Sequence, residues 1–387
     1  MIKVLFISQW YPHRYDKMFG LFVQKHAQAV SVYCEVKVLY VFADKNINRF
    51  EIEESHQPNF SELIVYYPKL EKKLFNFVFN AINYLTAYYK GLKLLRKEGF
   101  QPDIVHANIL TRTAFIAYLL KLRKGIPYVV TEHWSRYLAI KNSYKGFLRK
   151  ILTQMVVKNA SAILPVSETL KNAMLSHKLV NNNYIIVNNV VDNYFFKETI
   201  VVHRTKKRIL NISCFDEHAK NTKGIIRATN ELAKRRDDFE LILIGTGMDY
   251  NDVFEFSQML DFPKGVVHFL GEKTPEEVAN WVKNSDFLVL FSNYETAGVV
   301  IAESLVCGKL VLSTKVGAAP EYINEQNGII IDVGDETALV EKMNYLLDHI
   351  DDYDNTIIKN EARKKFDSAY IGGIITEIYT QSLKAHV

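Results

Sequence analysis

The chain of 387 residues is 48% hydrophobic and 24% charged, which is typical of a soluble globular protein and too long for one ordinary core. Its 48 basic and 43 acidic side chains leave a net charge of +5, which is too weak to indicate a nucleic-acid partner. Cys34, Cys214 and Cys307 lie far apart without a C-x-x-C pair, so the sequence predicts no zinc site and favours a reducing compartment. The chain has no run of about 18 uncharged apolar residues, and it begins with a strand-like segment instead of an export signal. We therefore expect a two-domain cytoplasmic protein without a membrane span.

Short apolar runs alternate with helical patterns along the chain, which predicts parallel α/β layers. The strands predicted in the first half are Lys3–Ile7, Val36–Tyr40, Ile64–Tyr67, Ile104–His106, Tyr128–Glu132, Ala162–Val166 and Ile185–Val187. Those predicted in the second half are Arg208–Ile212, Glu240–Ile244, Val266–Leu270, Phe287–Phe291, Leu310–Thr314 and Gly328–Ile331. Each half is expected to form a Rossmann-like sheet, with domains at 1–200 and 201–367 and a join near Thr199–Lys207.

Two glutamates frame the start of a predicted helix near the end of the second half. Glu295 and Glu303 stand eight positions apart, with Gly298-Val299-Val300 between them where a loop should become a helix. A helix start presents backbone N–H groups without intrahelical acceptors, which suit a diphosphate. Glu303, about two turns into the helix, could accept hydrogen bonds from a ribose diol, and Glu295 would lie nearer the sugar. Taken as an isolated pair, the glutamates are better explained as two solvated side chains on an amphipathic helix, and the nucleotide-sugar interpretation depends on the residues that follow.

This segment resembles the retaining glycosyltransferases of family 4, which carry an E-x7-E motif on a GT-B fold. The likeness continues through Cys307-Gly308-Lys309-Leu310-Val311-Leu312, Val316-Gly317 and Pro320-Glu321, some thirty positions in register. The resemblance implies two Rossmann-like domains that face each other across a donor and acceptor cleft. It also implies that the last helix, within 368–387, packs back on the first domain.

The resemblance implies a cationic clamp for the donor diphosphate after the first strand of the second domain. Family members carry an Arg there and a Lys six residues later; here Cys214 replaces the Arg and Lys220 stands at the Lys position. Lys223, just before Gly224, is a rival for the same role. A solvated basic loop is the alternative interpretation of these lysines.

Two further positions of the second domain resemble the family's donor-binding elements. Gly245, in Gly245-Thr246-Gly247, is interpreted as a tight turn beside the donor, because position 250 is Tyr where a dinucleotide fingerprint needs Gly. Phe269 lies in Val267-His268-Phe269-Leu270-Gly271, which resembles the strand and turn that meet the nucleotide base in family members.

Three positions of the first domain are candidates for the sugar or acceptor side. His133 follows a predicted strand, where ligands of parallel sheets collect, and matches an active-site histidine of the family. His106 occupies a similar strand end, and for each histidine a structural role is the alternative. Gly20 would let the backbone approach donor phosphates or acceptor, and an ordinary helix entry is its alternative.

The segment Lys69–Lys97 is basic and aromatic. A helical stripe of Leu74, Phe77, Val78, Ala81, Ile82, Leu85, Leu92 and Leu95 favours a helix with that face in the core. Contact with an anionic membrane is the alternative interpretation, since lysines bracket the aromatic residues.

Taken with the resemblance, these residues predict a retaining hexosyltransferase that uses a nucleotide-diphospho-sugar donor and no cofactor. No D-x-D motif stands after a strand, so we expect no metal requirement. The resemblance implies a glycan or lipid-linked acceptor, surface polysaccharide synthesis and a location at the inner face of the membrane. The alternatives are a non-catalytic GT-B subunit that binds nucleotide-sugar, suggested by Cys214, and a GT-B sugar-nucleotide epimerase.

Overall fold

The computed structural model describes residues 1–70, 76–198 and 203–386. Its strands are β1 (Lys3–Ser8), β2 (Glu35–Asp44), β3 (Glu51–Gln57), β4 (Phe60–Pro68), β5 (Ile104–Asn108), β6 (Tyr128–Glu132), β7 (Ala162–Pro165), β8 (Lys207–Ile212), β9 (Phe239–Ile244), β10 (Val267–Phe269), β11 (Phe287–Leu290), β12 (Leu310–Thr314) and β13 (Gly328–Ile331). The helices are α1 (Leu21–Ser31), α2 (Asn76–Lys97), α3 (Phe115–Lys124), α4 (Phe147–Asn159), α5 (Glu168–Ser176), α6 (Asn193–Phe196), α7 (Glu217–Lys220), α8 (Thr222–Ala233), α9 (Tyr250–Gln258), α10 (Pro275–Lys283), α11 (Val299–Val306), α12 (Ala319–Tyr322), α13 (Glu336–His349), α14 (Asn355–Phe366) and α15 (Ser368–Lys384). None of the helices in the described ranges has the length and apolar character needed to cross a bilayer.

The chain divides into two compact units with separate sheets. The first unit comprises residues 1–166, 170–190 and 368–387, and the second comprises 167–169 and 191–367. The predicted α/β class with two Rossmann-like sheets is therefore confirmed. We predicted the join near Thr199–Lys207; the division by contacts falls at Val190/Val191, and residues 199–202 of the predicted join lie outside the described residues.

The first unit contains a seven-stranded sheet in the order β3-β4-β2-β1-β5-β6-β7. All neighbours pair in parallel except β3, which runs antiparallel to β4. β1 is central and buried along nearly its whole length, which explains its continuous apolar sequence. On one face, α15 packs against α1 through Ile371, Ile375 and Tyr379, which belong to the same core cluster as β1 and β2.

The second unit contains a six-stranded parallel sheet in the order β10-β9-β8-β11-β12-β13. Several of its helices begin at a side-chain cap, among them α7, α8, α10, α13 and α14. Thr274 and Glu277 form a capping box at α10, with Pro275 in the first helical position. One continuous apolar core contains the central strands together with residues of α8, α11 and α13.

Most predicted strands are present, with two differences. Ile185–Val187 forms no regular strand; this stretch makes backbone hydrogen bonds to Ile163 and Pro165 of β7 beside an isolated bridge at Tyr184. β3 was not predicted, because its sequence EIEESHQ is mostly exposed and has no apolar run. Charged residues on such an edge strand discourage further strand pairing.

The orientation of α2 differs from the predicted one. The helix is anchored by Ala87, Tyr88, Gly91 and Leu95, of which only Leu95 belongs to the predicted core stripe. Phe77, Val78, Ile82 and Leu85 of that stripe, together with Phe79 and Tyr89, are instead between 48% and 79% exposed. Leu74, Phe75, Lys72 and Lys73 lie outside the described residues. The prediction that this stripe faces the core is therefore wrong for the first half of the helix, since the buried face is formed by smaller and tyrosine side chains.

Candidate functional site at the switch point of the second sheet

The strand order of the second sheet locates a site before any side chain is considered. The chain proceeds from β8 outward to β9 and β10, then returns to β11 on the other side of β8. In open parallel sheets, ligands bind beyond the carboxyl ends of the strands where the order reverses. The loops that leave β8 and β11, residues 213–216 and 291–298, therefore define the candidate site.

Lys220 and Glu295 form an ion pair at this switch point. The ammonium group of Lys220, at the end of α7, donates a hydrogen bond to Glu295 Oε1, which also accepts one from Ser292 Oγ at 3.1 Å. Both side chains are largely buried, with exposed fractions of 18% and 12%. Burial by itself would lower the pKa of Lys220, but the adjacent Glu295 carboxylate outweighs burial and the pKa is raised. The site therefore holds a fixed positive charge next to a carboxylate.

The loop that carries Glu295 is tied directly to α7. The backbone N–H of Asn293 donates to Ala219 O at 2.7 Å, and its side-chain amide donates to His218 O at 3.0 Å. From the other side, Thr314 Oγ1 donates to Ser292 O at 2.7 Å. These bonds position the lysine and the glutamate relative to each other independently of their own ion pair.

The backbone of Gly317 packs closely against the loop that carries Glu295. It has φ +54°, and a Cβ added there would lie 2.8 Å from the Glu295 Cβ and 2.9 Å from Thr296 O. No side chain fits at this position without displacing the Glu295 loop.

The start of α11 completes the candidate site. Gly298 has φ +59° and precedes the first helical residues, Val299 and Val300. The N–H groups of a first helical turn have no intrahelical acceptor, and the helix dipole adds positive potential there. Glu303 lies on the second turn and is half-buried. The predicted residues Glu295, Lys220, Gly298, Val299, Val300 and Glu303 therefore occur together on α7, the β11 loop and α11.

Lys223 does not join this group. It lies in the first turn of α8, where its ammonium donates to Asp252 Oδ2 at 2.7 Å and lies 5.3 Å from the ring centre of Phe256. Of the two rival lysines, the structure places Lys220 beside Glu295 and turns Lys223 toward α9.

The loop after β8 explains why the sequence Gly245-Thr246-Gly247 has glycine at both ends. A Cβ at Gly245 would overlap Ser213 O, and one at Gly247 would lie 2.6 Å from Phe215 O. The two glycines thus let the β9 turn approach the loop that contains exposed Cys214. Phe269 belongs to an aromatic cluster, with its ring centre 5.2 Å from that of Phe254. Gly245 and Phe269 therefore both have structural roles in the described contacts.

The three candidates of the first unit have different environments. His106 is fully buried, and its ring nitrogens lie 2.5 Å from Tyr379 Oη and 2.6 Å from Thr131 Oγ1, so its contacts are structural. Gly20 has φ +67°, and an added Cβ would lie 2.5 Å from Trp10 O, so packing requires the glycine. Neither needs a ligand to explain it.

His133 is different, because it is 6% exposed and neither ring nitrogen has a hydrogen-bond partner among the described residues. Burial, followed by the nearby His26 and His106, holds the pKa of His133 well below its usual range, so the ring is neutral near pH 7.

Asn108, at the end of β5, is fully buried, and its side-chain amide likewise has no partner in the described part of the chain. Sequence reasoning missed Asn108; its position at the carboxyl end of a central strand is the signal that could have indicated it. Buried polar groups without partners are rare and are candidates for ligand contacts.

Comparisons with known proteins identify the family of this chain. The sequence model described as "Glycosyl transferases group 1" matches residues 194–365, and that described as "Glycosyltransferase Family 4" matches residues 34–193. An uncharacterized glycosyltransferase of Methanocaldococcus jannaschii is 29% identical over 295 residues, which span 74% of this chain and 78% of that protein. The chain belongs to the group 1, or family 4, glycosyltransferases.

Solved structures are similar in fold. Sucrose-phosphate synthase from Thermosynechococcus elongatus matches with a TM-score of 0.77 at 16% identity, covering 100% of both chains. The Anabaena protein HepE in complex with UDP matches with a TM-score of 0.73 at 16% identity, covering 98% of this chain and 100% of that one. The fold is therefore GT-B, as predicted.

Proposed function

We propose that this glycosyltransferase moves a hexose from a nucleotide-diphospho-sugar to a glycan or lipid-linked acceptor with retention of anomeric configuration. The observation that carries the proposal is the partly buried Lys220–Glu295 pair beside the start of α11. A cation and a helix start suit a diphosphate, and a carboxylate next to them suits sugar hydroxyls. That the solved structure of HepE contains UDP supports a nucleotide as part of the donor.

In the proposed reaction, the bond between the anomeric carbon and the β-phosphate oxygen breaks, and its electron pair stays on the diphosphate. The acceptor hydroxyl oxygen bonds to the anomeric carbon on the face that the diphosphate leaves, and its proton passes to a diphosphate oxygen. Lys220 and the N–H groups of Gly298, Val299 and Val300 stabilise the growing negative charge. Glu303 binds the ribose diol, and Glu295 orients both the sugar and Lys220. His133 and Asn108 are the proposed contacts of the first unit to the substrates.

Lys220 and Lys223 provide a matched pair of variants for testing the donor site. We expect Lys220→Ala to weaken binding of UDP or GDP, measured by isothermal titration calorimetry, by about tenfold or more, because a charge-assisted contact is lost. Lys223→Ala should change the affinity by less than about twofold, since its ammonium pairs with Asp252. If Lys223→Ala weakens binding as much as Lys220→Ala, the assignment of the clamp is wrong.

Turnover distinguishes the transferase from its two alternatives. Glu295→Ala should abolish sugar transfer in a screen of UDP- and GDP-sugars with product detection, while nucleotide binding persists. Tight donor binding by the unaltered chain without turnover on any acceptor would favour a non-catalytic subunit. Release of a free epimer without an acceptor would favour an epimerase.

We further propose that the reaction needs no metal ion. Lys220 and the start of α11 supply the positive charge that a divalent cation would otherwise bring to the diphosphate. Transfer measured with and without a chelator should therefore proceed at the same rate. Loss of transfer on chelation and its recovery with Mg²⁺ or Mn²⁺ would contradict this proposal.

A further inference from the structure

A second group of large apolar side chains lies exposed on the first unit, apart from α2. Ile140 is 53% exposed, Phe147 77%, Leu148 74%, Ile151 44% and Leu152 40%. These five residues, called here the α4 patch, lie on a short 3-10 turn (Ala139–Lys141) and the first two turns of α4. No substrate role proposed above uses them.

The helical residues of the α4 patch form one stripe. Positions 147, 148, 151 and 152 are spaced i, i+1, i+4 and i+5, which places them on one side of a helix with 3.6 residues per turn. Thr153, Val156 and Val157, which are buried, lie on the opposite side. Arg149 and Lys150 fall about 60° beyond the two edges of the apolar stripe. The stripe is thus flanked by a cation on each side.

The surrounding sequence has only one sign of charge. From His133 to Ser167 the chain contains six basic residues and no aspartate or glutamate: Arg136, Lys141, Lys145, Arg149, Lys150 and Lys158. Apolar side chains flanked by cations match the acyl boundary and anionic headgroups of a bilayer, in which lysine and arginine extend toward the headgroups. A second copy of the chain is a poorer partner for the α4 patch, because a two-fold contact would bring the same basic residues of the two copies together. Lysine is also depleted in the cores of protein interfaces.

We propose that the α4 patch docks the protein on the surface of an anionic lipid bilayer. Its aromatic and aliphatic side chains enter the headgroup boundary, and Arg149 and Lys150 contact lipid phosphates.

The exposed half of α2 extends this surface. The connections from β4 to β5 and from β6 to β7 both cross the sheet in the same direction. Because such crossovers are right-handed, connections that run in the same direction place their helices on the same face of the sheet. α2 is the helix of the β4 to β5 crossover, and α4 is the helix of the β6 to β7 crossover, so each helix starts on the side of the sheet where its preceding strand ends. Phe77, Val78, Phe79 and Ile82 therefore project from the same face and edge as the α4 patch, and one bilayer surface can contact both.

Co-sedimentation with vesicles tests the proposal without any sugar substrate, so its failure is separate from failure of the proposed reaction. The full chain should bind vesicles that contain phosphatidylglycerol, bind pure phosphatidylcholine vesicles at least about tenfold more weakly, and dissociate as salt is raised. Phe147→Asn combined with Leu148→Asn should lower partitioning into the anionic vesicles by about tenfold or more. Because both side chains are exposed, the variant should keep its thermal midpoint and its UDP affinity.

Two further variants keep the result interpretable. Met259→Asn with Ile357→Asn removes exposed apolar side chains of the second unit, at 79% and 51% exposure, and should leave vesicle binding unchanged. Lys145→Ser with Lys150→Ser should weaken only the binding that depends on anionic lipid. No binding of the unaltered chain to anionic vesicles overturns the proposal, as does unchanged binding of the Phe147/Leu148 variant. Self-association that this variant abolishes, without vesicle binding, would identify a protein interface instead.

Discussion

Glu295 influences the candidate site through two neighbours at once. It accepts a hydrogen bond from Lys220, whose pKa it raises, and its Cβ and carbonyl carbon leave no room for a side chain at Gly317. A partly buried cation without its carboxylate would have to be desolvated alone, so the pair is more stable than either charge in isolation. A bound diphosphate would supply Lys220 with a second anionic partner.

Gly317 offers a test of how closely the loop must be held. We expect Gly317→Ala to lower sugar transfer by more than about tenfold, because the new Cβ would push against the Glu295 Cβ and Thr296 O and displace the loop that carries Glu295. Gly334→Ala is the control, since Gly334 also has a positive φ, +79°, but nothing within 4 Å of an added Cβ. Both substitutions strain the backbone by about 1 kcal/mol, and only Gly317→Ala should affect turnover. Equal turnover in the two variants would exclude this role for Gly317.

At the scale of elements, the site depends on where helices and strands end, and these ends were partly predictable. The start of α11 after Gly298 and the end of β6 before His133 follow from local signals that the sequence carries. The face that α2 buries was not predictable from its stripe of large apolar residues, because the sheet accepts Ala87, Tyr88 and Gly91 instead. At Gly91, an added Cβ would contact the Leu39 side chain of β2. The face that α2 buries is therefore determined by its fit to a neighbouring strand. The periodicity of the helix sequence carries no information about that fit.

The contribution of the α1–α15 contact to stability can be tested at two adjacent glycines of α15. An added Cβ at Gly372 would overlap Ala29 O and lie 2.7 Å from Ala29 C, whereas at Gly373 the nearest atom is Tyr33 Oη at 3.9 Å. We expect Gly372→Ala to lower the free energy of unfolding by about 2 kcal/mol, because the two helices must separate. Gly373→Ala should raise it by up to about 1 kcal/mol through helix propensity. Urea denaturation of both variants measures this difference, and a destabilised Gly373→Ala would refute the packing argument.

At the scale of the whole molecule, His26, His106 and His133, three of the buried histidines of the first unit, make its stability depend on pH. Burial lowers the pKa of His26 to about 4, and burial together with neighbouring histidines lowers the pKa values of His106 and His133. The unfolded chain protonates these rings near pH 6.5, while the folded chain does not, so stability falls as the pH drops below that value. Glu132 acts in the opposite direction, since burial raises its pKa. For His26 the expected loss is roughly 1 kcal/mol per pH unit between pH 6.5 and about 4.

Urea denaturation at pH 7 and pH 5 measures this dependence. His26→Gln should make the loss of stability between the two pH values smaller by one histidine's contribution. His56→Gln is the control, because the His56 side chain is 60% exposed and should leave the dependence unchanged. An identical pH dependence in His26→Gln would show that the buried ring is not responsible.

The sequence by itself determined the two α/β layers, most of their parallel strands and the helix start between Glu295 and Glu303, because buried strands need continuous apolar runs and helix starts need particular residues. It left open which lysine meets Glu295, why two glycines follow β9, and where β3 lies. Lys220 and Glu295 are separated by 75 positions, and they meet only because β8 and β11 are neighbours in the sheet. The tertiary structure also decided which apolar side chains of α2 and α4 stay exposed. Such contacts depend on strand order and on the shape of the partner surface, and neither is encoded in a local pattern.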